Sequence, residues 1–240
     1  MKKFITLVVL LNMCTQLVGQ RHFPEEANDE TGFVSIFDGK TLKGWEGDPV
    51  YWRVEEGNLV GEITPETIVR QNTFIIWRGG VTRDFELKTE VRISMGGNSG
   101  INYRSAAVAG QRYALKGYQA DIDGANEWSG QNYEERGREF LALRGQICRV
   151  DDTGNAVRIG TTGDKTALAG YIKSGDWNTY HLIVKGDVMI HMINGQVMSV
   201  VIDNDEKNKT TSGLLGVQVH VGPPMKVEYR NIRLKDLSGK

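Results

Sequence analysis

"YHLIVKGDVMIHMINGQVMSVVI", residues 180–202, decides the fold. It reads as three short β-strands in succession, broken at Lys185-Gly186-Asp187 and at Asn194-Gly195. Asn-Gly between alternating apolar residues is the strongest short hairpin signal, because both residues tolerate the positive φ that a tight turn needs. Outward from this stretch the text stays strand, turn, strand. "FVSIF" (33–37) runs into the glycine-punctuated "DGKTLKGW" (38–45), and "YWRVEEGNLVGEI" (51–63) makes two strands about Glu56-Gly57-Asn58. In "FELKTEVRI" (85–93), Phe85, Leu87, Thr89, Val91 and Ile93 share one face and charges the other. "LLGVQVHV" (214–221) and "KVEYRNIRL" (226–234) close the chain. Glycine is 29 of 240 residues, well above the usual share of about 7%, as many tight turns require. The best helix signal is "GDKTALAGYIKSGDW" (163–177), with Asp164 as N-cap and Gly175 as stop. Many antiparallel strands without a fixed-period repeat predict an all-β sandwich or barrel in one domain.

The start of the sequence carries an address. Lys2 and Lys3 precede the apolar run Phe4–Leu11, and small and polar residues follow to Gly19. Residues 1–19 therefore read as a secretory signal peptide, too short to span a bilayer. Cys14 follows Met13 rather than the small residue a lipoprotein signal requires, so lipid anchoring is not expected. The predicted location is periplasmic or extracellular. Residues 20–32 are polar and aperiodic and read as a linker, leaving 33–237 as the folded domain. Cleavage removes two of the 29 basic residues and none of the 30 acidic ones. The mature chain is mildly acidic, which argues against a nucleic-acid partner. No other apolar run is long enough for a membrane span. With Cys148 as its one remaining cysteine, the mature chain can form no internal disulfide and must be stabilised by its core. Cys148 itself reads as an inert buried thiol.

Three segments alternate with an unusual polar half. In "SGINYR" (99–104) it is Asn102 and Arg104; in "GYQADID" (117–123), Gln119, Asp121 and Asp123; in "GVQVHV" (216–221), Gln218 and His220. A wetted sheet face usually carries Lys, Glu, Ser and Thr. Each strand alone still reads as such a face. Together they predict neighbouring strands that line one pocket for a polyhydroxylated ligand, since amides, carboxylates and guanidinium groups match hydroxyls that both donate and accept. Tyr103, Tyr118, Trp128 and Tyr133 either stack on a sugar ring or belong to the core. Between these strands, "WSGQNYEERGREFLALRGQ" (128–146) adds Glu134, Glu135, Arg136 and Arg138. These are exposed ion pairs of little worth, or one glutamate points into the pocket, where partial desolvation suits proton transfer. His22 falls in the linker, and His181 and His191 on hairpin strands read as exposed or satisfied.

"FVSIFDGKTLKGW", "NSGINYR", "GYQADID", "YEERGR", "WNTYHLIVKG", "HMING" and "GVQVHVGPPMKVEYRNIRLKDL", in this order, resemble the 3-keto-disaccharide hydrolase domain family from about Phe33 to Leu237. The resemblance implies a concanavalin A-like jelly roll of two packed antiparallel sheets. It also implies a glycosidase-type hydrolase acting on sugars already oxidised at C3, which leaves room for a partner oxidoreductase that makes the 3-keto sugar. The polar positions it matches are Asn98, Asn102, Arg104, Gln119, Asp121, Asp123, Glu134, Glu135, Arg136, Gln218 and His220.

A C3 ketone acidifies the C2 proton, so the reaction needs a base near C2, an acid near the glycosidic oxygen and a positive or donor group at the C3 oxygen. The candidates are Glu134 or His220 as base, Asp121 or Glu135 as acid, and Arg104 or Arg136 at the oxygen. Asn98, Asn102, Gln119 and Gln218 would orient hydroxyls, and each arginine has the alternative of a salt bridge to Asp121, Asp123 or Glu135. Asp121, Asp123 and a nearby glutamate offer hard oxygen ligands, so a divalent cation stays open, although the spacing matches no strong metal motif. No other cofactor is expected. The rival reading is a lectin-like glycan-binding module on the same fold.

Overall fold

The computed structural model describes residues 30–239. The predicted signal peptide, Cys14, His22 and most of the predicted linker lie outside the described residues. The compact unit begins at Gly32.

The described residues are almost entirely β. The strands are β1 (Val34–Ser35), β2 (Trp45–Glu46), β3 (Trp52–Glu55), β4 (Asn58–Ile63), β5 (Thr73–Thr82) and β6 (Phe85–Ile93). Next come β7 (Asn98–Ala107), β8 (Leu115–Asp123), β9 (Asn132–Glu135), β10 (Glu139–Ala142), β11 (Gln146–Val150) and β12 (Ala156–Thr161). After a short helix α1 (Lys165–Ala169) follow β13 (Asn178–Lys185), β14 (Val188–Ile193), β15 (Gln196–Asp203), β16 (Gly213–Val219) and β17 (Met225–Asp236). One sheet has the order β12-β11-β15-β14-β13-β6-β17-β4-β3, with β1 also paired to β17; the other runs β10-β9-β8-β7-β16-β5-β2. The two sheets make a jelly-roll sandwich, as expected, with one departure from antiparallel pairing. β11 runs parallel to β15, Ile147–Val150 against Val200–Asp203, because the chain enters this sheet from the other one rather than by a hairpin.

The predicted double hairpin is present: β13, β14 and β15 pair in sequence across Gly186 and Asn194-Gly195. Asn194 and Gly195 both adopt positive φ, 49° and 78°. The helix is shorter than predicted. Asp164 caps it, its Oδ1 accepting from the N–H of Thr166 and Ala167. It ends at Gly170 rather than Gly175. Beyond Ala169 the hydrogen bonds shorten to three-residue turns, Tyr171 N–H to Leu168 O and Ile172 N–H to Ala169 O, and such turns do not propagate.

One hydrophobic core fills the space between the sheets. Leu87, Val91, Leu182, Val184 and Tyr229 meet Ile101, Tyr103, Tyr118, Ala120, Ile122, Val217 and Val219 there. Every second residue of a strand points inward, so the inner rows of β7, β8 and β16 are the apolar halves of the alternating segments. Tyr103 and Tyr118, at 0% and 1% exposed, are core residues and do not stack on a ligand. Cys148 is free and buried, and burial raises its thiol pKa.

A polar network also lies in this layer. Arg138 bridges Glu134 (Nε–Oε2, 2.6 Å), Asp203 (Nη2–Oδ2, 2.7 Å) and Asp205 (Nη1–Oδ2, 3.2 Å), while Tyr118 Oη donates to Asp203 Oδ2 at 2.6 Å. Nearby, Tyr103 Oη and His191 Nε2 are 2.8 Å apart. Desolvation lowers the His191 pKa to about 4, so its ring is neutral. His181 pairs with Glu86; both hairpin histidines are therefore satisfied. Removing Arg138 would leave three carboxylates enclosed around an empty centre. Arg138→Met should lower the unfolding free energy in urea by about 3–5 kcal/mol, the usual cost of breaking a buried ion pair from one side. A loss below about 1 kcal/mol, typical of an exposed pair, would mean the network contributes no more than a surface one.

Candidate functional site

The outer face of the seven-stranded sheet carries the polar rows. Cross-strand register places Gly216 beside Asn102, Asn102 beside Gln119, and Gln119 beside Tyr133. In the adjacent row Gly100 pairs with Asp121 and Asn98 with Asp123, while the His220 N–H reaches Asn98 O at 3.3 Å. Alternation therefore brings polar side chains of four strands onto one surface, and several of them line a cleft of about 530 Å³, within the range of about 300–1,000 Å³ for ligand sites.

An oriented amide chain runs across the floor. Gln218 Nε2 donates to Gln119 Oε1 at 3.1 Å, and Gln119 Nε2 donates to Asp121 Oδ1 at 2.8 Å. Gly100 makes room for it: a Cβ there would collide with the Gln119 amide group. Asp121 is 8% exposed. Burial pushes its pKa up to about 7 against the hydrogen bonds from Gln119 and Gln131, with the charges of Glu135 and Asp123 adding to the rise. A carboxyl so placed exchanges a proton near neutral pH.

Glu135 reaches into the cleft from β9. Its Oε1 accepts from Asn72 Nδ2 at 3.2 Å and its Oε2 from Gln218 Nε2 at 3.4 Å. Arg136 Nε lies 3.7 Å from Glu135 Oε1. His220 sits at the end of β16 with Nδ1 2.6 Å from the Val221 carbonyl. A carbonyl only accepts, so Nδ1 is the protonated nitrogen, and whenever the ring is neutral the lone pair lies on Nε2. Beside the polar floor stands an aromatic wall: Phe140 stacks on Trp128 (5.6 Å between centroids) and meets Tyr133 edge-on (5.1 Å), and Tyr133 neighbours Gln119 in register.

The structure thus brings Asn98, Gln119, Asp121, Glu135, Arg136 and His220 together around one cleft. Asn102 and Gln218 belong to the same face but are wholly buried beneath it. Both side-chain polar atoms of Asn102 are without a hydrogen-bond partner among the described residues.

Three expected site residues lie elsewhere. Glu134 points between the sheets to Arg138, because its neighbours Tyr133 and Glu135 take the outer face and period two sends it inward. Arg104 sits at a break in strand register with φ 45°, which removes it from the alternating row. Its guanidinium instead donates to Arg83 O (2.7 Å), Gly186 O (2.9 Å) and Asp84 Oδ1 (2.9 Å). Asp123 accepts from the N–H groups of Ala125, Glu127 and Trp128, so it shapes the loop that carries Trp128. Those bonds engage both Asp123 oxygens, and the suggested trio of Asp121, Asp123 and a glutamate does not form a cation site. Among the described residues no group of three or more His, Cys, Asp or Glu converges to hold a metal.

Sequence reading missed Asn72, Glu139 and Phe140, all of which line the cleft. Asn72 precedes a strand and has no local signature. Phe140 follows charged Glu139 on a four-residue strand too short to show a period.

Comparison with known proteins places this geometry. Residues 32–235 match the 3-keto-alpha-glucoside-1,2-lyase-like domain. A 3-keto-disaccharide hydrolase from Bacteroides thetaiotaomicron is 36% identical over 87 residues, which is 33% of this chain and 30% of the relative's length. A crystal structure of a glycosyl hydrolase homologue from Parabacteroides distasonis superposes with a TM-score of 0.58 at 22% identity, covering 86% of this chain and 94% of that one. The carbohydrate-binding module CBM66 from Bacillus subtilis gives 0.52 at 14% identity, over 80% and 96%. At these identities the two structures attest the sandwich fold alone.

The raised Asp121 pKa has a thermodynamic consequence. In the unfolded chain the carboxyl ionises near 3.8, in the folded one near 7. Below pH 4 both states are protonated and nothing is lost; as pH rises towards 7 the unfolded state releases its proton first and stability falls. Asp121→Asn abolishes that loss. The variant should therefore gain stability relative to the wild type between pH 4 and pH 8, by a few kcal/mol at most, in melting curves taken across pH. A difference that stays flat over this range would contradict a raised pKa.

Proposed function

Because this chain belongs to the 3-keto-alpha-glucoside-1,2-lyase-like domain family, we propose that it cleaves the glycosidic bond of sugars carrying a ketone at C3. The observation that carries the reading is the meeting, in one cleft, of a buried carboxyl whose pKa is pushed up to about 7 with a histidine whose Nδ1 faces the Val221 carbonyl, leaving Nε2 for the substrate.

In the proposed reaction His220 Nε2 takes the C2 proton, which the adjacent ketone acidifies. The electron pair of the C2–H bond forms an enolate with its charge on the C3 oxygen, and collapse of that enolate forms the C1–C2 double bond as the C1–O bond breaks. Protonated Asp121 gives its proton to the departing oxygen. Water then adds at C1 and a proton returns to C2, so the net change is hydrolysis and nothing is oxidised or reduced. Arg136, at the rim of the cleft, supplies positive charge for the developing enolate at the C3 oxygen. Glu135, held by Asn72 and Gln218, hydrogen-bonds sugar hydroxyls. It also adds the negative field that helps keep Asp121 protonated. The aromatic wall offers apolar faces to a pyranose ring. The reading also includes export, from the leader at residues 1–19, and a partner oxidoreductase that installs the C3 ketone.

The test uses 3-keto-trehalose and 3-keto-glucosides in deuterated water, followed by NMR. The released 3-keto sugar should carry deuterium at C2. His220→Gln and Asp121→Asn should each lower kcat by about 10²–10⁴-fold, the range for lost proton transfer, with melting behaviour of a folded protein. Absence of turnover on every 3-keto glycoside, together with tight calorimetric binding of unoxidised glycans, would favour the binding-module reading instead.

A further inference from the structure

We propose that a second cleft, beside the first, binds an acidic saccharide through its carboxylate. This cleft encloses about 580 Å³. Three loops build it, contributing Asp48 and Tyr51, then Arg70 and Gln71, then Arg112 and Tyr113. Gln71 and Thr73 face it, whereas Asn72 between them lines the first cleft and holds Glu135. The two clefts therefore share one wall.

The chemistry of the lining selects a ligand. Arg70 and Arg112 are exposed, and no described carboxylate pairs with either. Asp48 is the single acid in the lining, and its Oδ1 already accepts from the Val50 N–H at 3.0 Å. The cleft is left with two forked cation donors and an excess of positive charge, in a protein that is acidic overall. Guanidinium matches the planar oxygens of a carboxylate in two parallel hydrogen bonds.

Tyr51 and Tyr113 also line this cleft. Tyr113 takes φ 59°, a conformation that is a genuine outlier for a bulky side chain. Its carbonyl is held by the Phe74 N–H at 2.9 Å, and the Arg112 guanidinium lies over its ring at 4.6 Å. Strained residues of this kind persist where the surroundings hold them, and they cluster at ligand clamps. The clamp holds ring and guanidinium together as one surface. Aromatic side chains for a sugar ring, in one cleft with two unpaired guanidinium groups for its acid, are the complement of a uronic acid. The proposal does not rest on the catalytic reading of the neighbouring cleft.

The probe is glucuronate, titrated into the full chain by calorimetry beside glucose, acetate and inorganic sulfate. Glucuronate should bind best, and added salt should weaken it. Arg70→Gln and Arg112→Gln should each weaken it by about tenfold or more, as loss of a charge-assisted hydrogen bond predicts. Both residues are exposed, so the variants should melt like the wild type. Asp121→Asn should leave glucuronate binding intact, because Asp121 belongs to the other cleft. Equal binding of glucose would remove the role of the carboxylate, and equal binding of sulfate or acetate would remove the saccharide. Absent binding, or binding indifferent to both arginine variants, would overturn the site. So would binding lost in Asp121→Asn, which would place the ligand in the first cleft.

Discussion

The amide chain from Gln218 to Gln119 to Asp121 depends on strand register. Its members belong to β16 and β8, with β7 lying between; the 3.1 Å bond from Gln218 to Gln119 crosses β7, and the 2.8 Å bond from Gln119 to Asp121 runs along β8. A slip of one residue in any of the three would exchange the two faces of that strand, burying the polar row and exposing the apolar one. The register is held from the opposite side. Ile101, Tyr103, Tyr118, Ala120, Ile122, Val217 and Val219 are buried against the other sheet, and each large apolar side chain so buried is worth about 1.5–3 kcal/mol. The core thus positions the cleft without touching it. Gly100 completes the arrangement, since only a residue without Cβ lets the Gln119 amide lie across β7.

The same logic explains the costly polar network inside the sandwich. β9 is four residues long, too short for apolar burial alone to settle which way it faces. Glu134 anchored on Arg138, with Asn132 Nδ2 3.1 Å from Tyr103 Oη, commits its even-numbered residues inward. Tyr133 and Glu135 must then face the cleft. Ion pairs taken out of water return little net stability; their effect here is to set the phase of one short strand. Asp123 acts similarly on the loop that carries Trp128, through backbone N–H groups rather than a core.

Much of the fold was legible in the residues, for a physical reason. The extended chain has a period of two, and Asn-Gly has an intrinsic taste for tight turns, so the hairpins of 180–202 and the paired faces of β6, β7, β8 and β16 could be read locally. What escaped was short or irregular. β10 has too few residues for a pattern, and β12, exposed along nearly its whole length, has no buried face to alternate. The helix stopped five residues early because Gly170 and the turns after it ended the hydrogen-bond ladder before the expected glycine.

Of the site, alternation determined by itself that Gln119, Asp121 and Gln218 would stand on polar faces, and the ordered motifs pointed to the family. Only the tertiary structure decided which members of those rows meet. Arg104 left its row because a register break turned it towards Asp84 and Gly186. Glu134 left because Arg138 and Asp203 wait on the inner side. Asn72 and Phe140 arrived from segments with no signal of their own. Periodicity is a property of neighbours along the chain, whereas a cleft is made by contacts between residues far apart in it, and no local pattern records those.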